Sequence, residues 1–281
     1  MFSIAVPHDF LLEAPDEPSK IRKLGYLARA AAIFKVDTII IYHYGAPLRE
    51  EIDLAKTVLE YLATPPYLRK KVFKQDRRLR YAGLLPPLKI PSHTAPPEPQ
   101  VGEVREGVVE RWDGYYSLVY IGAGKYAKVP KPYPIGTRLL VKMEAPTARP
   151  DTYRASVYKG PPPTYWGYRV EVRPLKMLAE GFDTVVLTGK EGESICRVKP
   201  ALGKRTLVVF GGPKKGVDEI YKEAGLDPPG RLINFAPGQG VETIRTEEAV
   251  FIVLSLLNYV AACGVCKRQG DGGPGAAVHQ F

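Results

Sequence analysis

The apolar positions of residues 2–66 follow the pattern of an α/β protein. Residues 2–6 are apolar, and residues 20–34 carry apolar side chains at helical spacing after Ser19, a favourable N-cap residue. Residues 36–42 are mostly apolar and β-branched, which is typical of a buried parallel strand. Apolar residues then recur at helical spacing from Leu48 to Leu62. We therefore predict two strands, each followed by a helix.

The middle of the chain has a different pattern. Prolines are dense from Pro86 to Pro99, as in a linker, and a second proline cluster occupies residues 161–163. Between them, short stretches of alternating apolar and polar residues are separated by turn signals such as Asp113-Gly114. This spacing predicts a small antiparallel β-barrel. Two proline-rich linkers around a self-contained β-unit indicate an inserted domain.

The α/β pattern returns after about Gly167. Three apolar runs predict strands, at residues 183–189, 205–212 and 231–236. Residues 216–225 predict a short helix that ends at Gly225, and Thr246 caps the last helix. The predicted fold is an α/β domain with a mostly parallel sheet, split between residues 1–90 and 166–262, with a β-barrel insertion at 91–165 and a tail at 263–281.

The charge of the chain favours a polyanionic partner. Its 281 residues include 40 Lys and Arg against 30 Asp and Glu, a formal net charge of +10 at pH 7. Such an excess is typical of nucleic-acid binding, although a basic surface that is only solvated has the same composition. We see no secretory signal pattern and no apolar run long enough to cross a bilayer, so we expect a cytoplasmic protein without membrane segments.

The cysteines do not predict a metal site. Cys263 and Cys266 form a C-x-x-C pair, and Cys196 stands alone. A structural zinc needs four ligands, and the sequence offers no second pair and no nearby histidine pair. Cys263 and Cys266 are then simply small residues near a helix end, or they form a local or intersubunit disulfide.

Three glycine-containing segments follow predicted strands: TGKEG at 188–192, GGPKKG at 211–216 and APGQG at 236–240. In open α/β sheets, ligands bind beyond the carboxyl ends of the strands, and glycine lets the backbone approach a ligand closely. Three such segments predict a nucleotide-like ligand, although each glycine alone has a second explanation in turn geometry. GGPKKG lacks the Lys-Ser/Thr ending of a P-loop, so the familiar phosphate loops do not fit.

Two longer segments carry a family resemblance. VFGGPKKGVDEI and INFAPGQGVETIRTEEAVFIVLSLLNYV resemble the second and third signature loops of the SPOUT methyltransferases. KIRKLGYLARAAAIFKVDTIIIY and YLRKKVFKQDRRLRYAGLLPPLKIPSH resemble the archaeal and eukaryotic RNA methyltransferase branch with an inserted OB-like domain. The resemblance implies a C-terminal trefoil knot, S-adenosylmethionine as cofactor, RNA as substrate and a homodimer formed through the knot domain.

The resemblance also implies which residues bind the cofactor. Those that fall on the signature loops are Thr188, Gly189, Gly211, Gly212, Gly216, Asn234, Phe235, Pro237, Gln239, Gly240, Thr243 and Ile244. The helix after them is apolar on its whole circumference, so it must be covered on every side. Either a partner subunit or the rest of the same chain provides that cover.

A basic stretch precedes the barrel and predicts contacts with RNA. The candidate residues are Arg69, Lys70, Lys71, Arg77, Arg78 and Arg80, together with Arg22 from the first helix. Their alternation with aromatic side chains suits phosphate contacts and base stacking, whereas a solvated helix face is the other explanation. Aromatic residues of the barrel suit single-stranded nucleic acid as well, since OB barrels commonly bind it on one face.

The kind of RNA atom that is methylated follows partly from the absence of cysteine in the signature loops. Carbon methylation of a pyrimidine often uses a cysteine, and no cysteine lies on a signature loop, so we expect methylation of a base nitrogen or a ribose oxygen. The resemblance favours the nitrogen, with N3 of a uridine in ribosomal RNA as the example.

Arg29 is the catalytic candidate because a fixed arginine stabilises a developing oxyanion; a phosphate contact or an intersubunit ion pair explains it nearly as well. His8 and His43 end two strands and are candidate bases. A non-catalytic RNA-binding assembly factor is the alternative function.

Overall fold

The computed structural model describes residues 2–269, with side chains described to residue 262. The strands are β1 (Phe2–Pro7), β2 (Thr38–His43), β3 (Val104–Trp112), β4 (Ser117–Tyr120), β5 (Tyr126–Val129), β6 (Arg138–Pro146), β7 (Thr152–Val157), β8 (Arg169–Pro174), β9 (Thr184–Ser194), β10 (Thr206–Val209) and β11 (Arg231–Asn234). The α-helices are α1 (Glu17–Ile33), α2 (Arg49–Ala63), α3 (Pro66–Val72), α4 (Val217–Glu223) and α5 (Thr246–Gln269). The side chains of Cys263 and Cys266, and the rest of the tail, lie outside the described residues.

The main sheet is built by both halves of the chain. Its strand order is β11-β9-β10-β1-β2-β8, and every neighbouring pair is parallel. Strands β1 and β2 precede the barrel in sequence, whereas β8 to β11 follow it. The expected α/β fold with a mostly parallel sheet is therefore confirmed.

Two apolar cores cover the two faces of this sheet. Along β1 and β2, Ile4 and Ile41 pack into a core with α1, α2 and α5, whereas Ala5 and Ile40 pack into a second core with α4. The alternation follows from the period of two in a strand, which turns successive side chains to opposite faces. Burial on both faces explains why β1 and β2 read as nearly continuous apolar runs.

Helix α1 begins three residues earlier than the sequence indicates. Asp16, rather than Ser19, is the N-cap residue, and its carboxylate accepts a hydrogen bond from the Ser19 backbone N–H at 2.7 Å. A carboxylate satisfies a free N–H group of the first turn and also interacts favourably with the helix dipole. The predicted apolar stripe, which includes Ile21, Leu24 and Ala28, is buried as expected.

The inserted strands close into a five-stranded barrel of order β3-β4-β5-β7-β6. The predicted small antiparallel barrel is confirmed, with one exception, because β5 and β7 are parallel. A parallel pair needs a long connection, and the segment that joins β5 to β7 contains the whole of β6. A five-stranded, Greek-key closed sheet of this kind is the OB architecture.

The segments that lead into the barrel are packed rather than loose. Leu88 and Ile90, within the proline-rich stretch, are buried in the core beside α1 and α2. The barrel also contacts the end of α2 and the start of α3 directly. The Tyr67 hydroxyl donates to the Glu106 carbonyl at 3.0 Å, and an Arg138 guanidinium N–H donates to the Thr64 hydroxyl at 3.2 Å.

Helix α5 is not equally covered on all sides. Val250, Val253, Leu254 and Leu257 are buried, whereas Tyr259 is 67% exposed. The buried residues recur at spacings of three and four, so they form the face that packs on the sheet. Within the described part of the chain, no helix is long and apolar enough to cross a membrane.

Candidate functional site

The three glycine-containing segments meet in one cleft at the carboxyl ends of β9, β10 and β11. The cleft has a volume of about 360 Å³, within the range typical of small-ligand sites. Its walls come from residues 188–191, 210–216 and 233–236, with the turn and helix start at residues 239–253. Glu13, from the loop after β1, also lines it.

The TGKEG segment is part of a strand, whereas the sequence predicts a loop that follows the strand. TGKEG lies inside β9, which continues to Ser194, and the register between β9 and β11 shifts between Leu232 and Ile233. Glycine is needed at this irregular pairing, because a Cβ on Gly192 would lie 2.7 Å from the Ile233 backbone nitrogen. The extended strand forms one wall of the cleft.

Side-chain hydrogen bonds hold the cleft segments to one another. The Thr188 hydroxyl donates to the Val209 carbonyl at 3.0 Å, and the Asn234 amide donates to the Lys190 carbonyl at 2.8 Å. The Thr246 hydroxyl, at the start of α5, donates to the Gly211 carbonyl at 3.1 Å. These bonds join residues far apart in sequence, so the cleft is organised before any ligand binds.

The GGPKKG loop forms the floor of the cleft with its main chain. The Gly212 N–H donates to the Lys215 carbonyl at 3.0 Å, which closes the loop. A Cβ on Gly211 would lie 3.0 Å from that same oxygen and 3.2 Å from the Val217 nitrogen. The glycine thus leaves backbone, rather than a side chain, facing the cleft.

The APGQG turn contributes some of its residues to the cleft and not others. Gln239 lines the cleft, and its side-chain amide donates to the carbonyls of Val241 and Glu242 at 2.8 and 3.1 Å. Pro237 and Gly240 are exposed and do not line the cleft. The remaining ten predicted cofactor residues do line it: Thr188, Gly189, Gly211, Gly212, Gly216, Asn234, Phe235, Gln239, Thr243 and Ile244. Their role in binding a cofactor stays a prediction, as does the threading that makes a knot.

The sequence interpretation missed several lining residues. They are Glu13, Lys190, Lys214, Lys215, Arg245, Ile252 and Val253, among others. Glu13 had a signal, since it closely follows the carboxyl end of β1, which neighbours β10. No sequence signal marked Ile252 and Val253 as cleft residues, because both have the pattern of ordinary core positions of α5.

Arg29 does not line this cleft. Its guanidinium donates to the Leu88 carbonyl at 2.8 Å and, more weakly, to the Pro87 carbonyl at 3.4 Å. These bonds hold the proline-rich stretch against α1. The catalytic role of Arg29 therefore stays a prediction.

The ends of β1 and β2 lie beside the GGPKKG loop. A Cβ on Gly212 would be 2.7 Å from Asp9 Oδ1, and the other Asp9 oxygen accepts the Tyr44 hydroxyl at 2.8 Å. His8 accepts the Leu48 backbone N–H on Nδ1 at 3.0 Å, and burial lowers the pKa of this imidazole. A neutral His8 then carries its proton on Nε2, so it is a donor rather than a base in this arrangement.

Contacts divide the predicted RNA-binding cations into two groups. Three are occupied in ion pairs or packing: Arg69 donates to the Thr64 and Leu62 carbonyls, Lys71 pairs with Glu110 at 2.7 Å, and Arg78 pairs with Asp76 at 2.6 Å. The others form no ion pair among the described residues: Lys70, Arg77, Arg80 and Arg22, whose guanidinium donates to the Ser19 hydroxyl. This unpaired group is the more available to a polyanion.

Comparison with known proteins places the chain in a family. The model of the family described as "Putative RNA methyltransferase" matches residues 1–257. An uncharacterized protein of Halobacterium salinarum is 33% identical, over 91% of this chain and 98% of that protein. The human 28S rRNA (uridine-N(3))-methyltransferase is 32% identical, over 91% of this chain and 77% of that protein.

Among solved structures, one concerned with 2′-OH methylation of C/U34 on tRNA aligns over 94% of this chain and 97% of that chain. Its TM-score is 0.40 at 12% identity. The family match covers both halves of the sheet, the barrel and the cleft, as the sequence resemblance implied. The chain belongs to the Putative RNA methyltransferase family.

Proposed function

We propose that this protein transfers a methyl group from S-adenosylmethionine to N3 of a uridine in ribosomal RNA. The observation that carries the proposal is the convergence of three chain segments into one preorganised cleft in a member of an RNA methyltransferase family. The human relative aligns with 91% of this chain, and its name supports uridine N3 as the acceptor.

The lining of the cleft suits the proposed cofactor. Phe235, Ile252 and Val253 offer apolar surface, while the glycine segments offer backbone N–H and carbonyl groups beside it. A site that combines apolar walls with a few polar groups is typical for a nucleoside-containing ligand. When bound, S-adenosylmethionine supplies an electrophilic methyl group on a sulfonium, and the cleft residues hold and orient it.

The residues around the cleft favour a nitrogen or oxygen acceptor over a carbon atom of the pyrimidine ring. Cys196 is exposed and does not line the cleft, so no described cysteine is placed to attack a pyrimidine ring. Methylation at nitrogen needs no covalent enzyme intermediate, only alignment of donor and acceptor and removal of the N3 proton. The chain's contribution is therefore positioning, together with stabilisation of the charge that develops on the base.

A homodimer is part of the proposal and gives Arg29 a place to act. Tyr26 and Ile33 on α1 are 58% and 51% exposed, and α1 packs beside α5. Large apolar residues on adjacent helices form a surface that a second copy can cover. Because Arg29 lies outside its own cleft, we place its catalytic role at the cleft of the other subunit. Sedimentation equilibrium measures the oligomeric state.

The methylated product provides the direct test. The purified protein, S-adenosylmethionine and unmodified ribosomal RNA are incubated, and the RNA nucleosides are analysed by mass spectrometry against standards. The proposal expects 3-methyluridine. Recovery of 2′-O-methylated nucleosides instead would support the ribose alternative, and no methylation with intact RNA binding would support the non-catalytic assembly factor.

Removal of Arg77, an exposed arginine of the basic stretch, should weaken RNA binding. Arg77→Ala is expected to lower the slope of log affinity against log salt by about one, because one phosphate contact releases about one counterion. Arg78→Ala should have a smaller effect, since Asp76 already neutralises that side chain. Lys56→Ala, on α2 and paired with Glu60, is the matched control. An unchanged slope in Arg77→Ala would show that this stretch does not touch RNA.

A further inference from the structure

Three cations form a row across the outside of the barrel. Strand pairing places Arg111 opposite Leu118, Leu118 opposite Lys128, and Lys128 beside Arg154, on β3, β4, β5 and β7. Directly paired residues of neighbouring strands point to the same face of a sheet. Val119, Ala127 and Val129 of the same strands fill the barrel core, so the row lies on the outer face. We call Arg111, Lys128 and Arg154 the cationic row.

No member of the cationic row forms a close ion pair with another described residue. Glu110 binds Lys71 and the Tyr126 hydroxyl instead, and Asp113 in the β3–β4 turn interacts with Arg111 and Lys128 only through the longer-range attraction of their charges. Like charges directly opposite each other destabilise a sheet, so the pairing of Lys128 with Arg154 costs stability that an external anion would offset.

Tyrosine rings stand next to the cationic row. The Lys128 ammonium lies 5.4 Å from the centre of the Tyr116 ring, and Tyr115, which precedes it in the β3–β4 turn, is 80% exposed. A ring so exposed gains little from the fold itself. Exposed rings beside cations that form no close ion pair are the combination that stacks bases and contacts the phosphates between them.

The turn that carries these rings is fixed. One Asp113 carboxylate oxygen accepts the backbone N–H groups of Tyr116 and Tyr115 at 2.8 and 3.0 Å, and the Asp113 N–H donates to the Tyr116 carbonyl at 3.1 Å. The Tyr116 and Tyr115 N–H groups lower the pKa of Asp113, so it is ionised at neutral pH. A preorganised turn binds a ligand with less loss of conformational entropy than a mobile loop.

We propose that the cationic row and the turn at residues 113–116 bind a single-stranded segment of the RNA substrate. Bases stack on Tyr115 and Tyr116, and phosphates contact Arg111, Lys128 and Arg154. The choice of RNA as partner rests on the proposed function. Single-stranded RNA fits because its bases are free to stack, whereas in an A-form duplex the flat base surfaces are covered.

The surface is continuous with the basic stretch near α3. Lys71 lies 5.0 Å from the Tyr120 ring, and Tyr120 packs edge-on against Tyr126 in the neighbouring row of the same barrel face. A strand bound across the barrel is thus led toward α3 and the exposed cations around it. The barrel holds sequence that flanks the target nucleotide rather than the nucleotide itself.

The test measures binding of labelled single-stranded RNA and of the same sequence as a duplex, by fluorescence anisotropy on the full chain. Tyr115→Ala with Tyr116→Ala should weaken single-strand binding roughly tenfold or more, and duplex binding far less. Tyr115→Phe with Tyr116→Phe keeps both rings and should stay within about twofold of the unchanged protein. Lys128→Ala and Arg154→Ala should each lower the salt slope by about one, and the control Lys142→Ala, on β6 outside the row, should not.

The inference and the proposed function fail in different ways. If the ring variants bind single strands as the unchanged protein does, or lose single-strand and duplex binding equally, the barrel surface is not a single-strand site. Methyl transfer separates the two claims: a raised KM with unchanged kcat in the ring variants supports the inference. An unchanged KM overturns the inference while leaving the methyltransferase assignment intact. Absence of 3-methyluridine with the unchanged protein overturns that assignment alone.

Discussion

Gly211→Val is expected to abolish binding of S-adenosylmethionine while the chain stays folded. A Cβ at this position meets only main-chain atoms, 3.0 Å from the Lys215 oxygen and 3.2 Å from Gly216 Cα and the Val217 nitrogen. Main chain cannot rotate away as a side chain can, so the loop must shift. Its carbonyl is also bonded to Thr246, and the shift therefore disturbs two walls of the cleft together. We expect affinity to fall at least about 100-fold, which corresponds to ~2.7 kcal/mol.

Isothermal titration calorimetry measures this loss, and thermal unfolding shows that the fold remains. Overpacking costs about 1–3 kcal/mol, so the melting temperature should fall by less than about 10 °C. Gly83→Val is the matched control, because nothing lies within 4 Å of a Cβ at that position and the residue does not line the cleft. Normal affinity in Gly211→Val would place the cofactor elsewhere.

Lys23→Ala is expected to destabilise the fold more than removal of any of the surface cations named above. Lys23 is 7% exposed and bridges two carboxylates, Glu13 in the cleft wall and Glu247 in the first turn of α5. The Lys23 ammonium lies 2.7 Å from Glu247 Oε2. Without the ammonium, the buried Glu247 carboxylate has lost its counter-ion. Breaking a buried pair in this way costs about 3–5 kcal/mol.

Urea unfolding, followed by circular dichroism, measures the change. Lys56→Ala removes a half-buried lysine whose side chain is 42% exposed and pairs with Glu60, and it should cost less than about 0.5 kcal/mol. Adding Glu247→Gln to Lys23→Ala removes the unpaired charge and should recover part of the lost stability. If the double variant is no more stable than Lys23→Ala, the cost comes from packing of the lysine chain rather than from the charge. A loss below about 1 kcal/mol in Lys23→Ala would contradict the burial of this network.

The ion pairs of Lys23 connect the stability of the fold to the geometry of the cleft. Glu13 follows β1 and Glu247 begins α5, so Lys23 joins the start of the chain to the helix behind the cleft. The pairing aligns three elements that local sequence does not place together. We therefore expect the cofactor affinity of Lys23→Ala to fall along with its stability.

Several features of the fold followed from the sequence alone. The apolar runs of β1 and β2, the stripe of α1 and the alternating strands of the barrel each report local burial, since side-chain direction repeats every two residues in a strand and every 3.6 in a helix. The convergence of the glycine segments also followed, because the carboxyl ends of parallel strands share one edge of a sheet.

Tertiary structure decided which partner each polar group finds. Nothing near Lys71 in sequence reveals that Glu110, on the barrel, neutralises it, or that Arg29 is held by the Leu88 carbonyl. The parallel pairing of β5 with β7 likewise depends on closure of the whole barrel. The cationic row itself depends on strand pairing, which aligns three cations from separate strands. Periodicity encodes how deeply an element is buried, whereas ion pairs and strand register depend on residues that folding alone brings together.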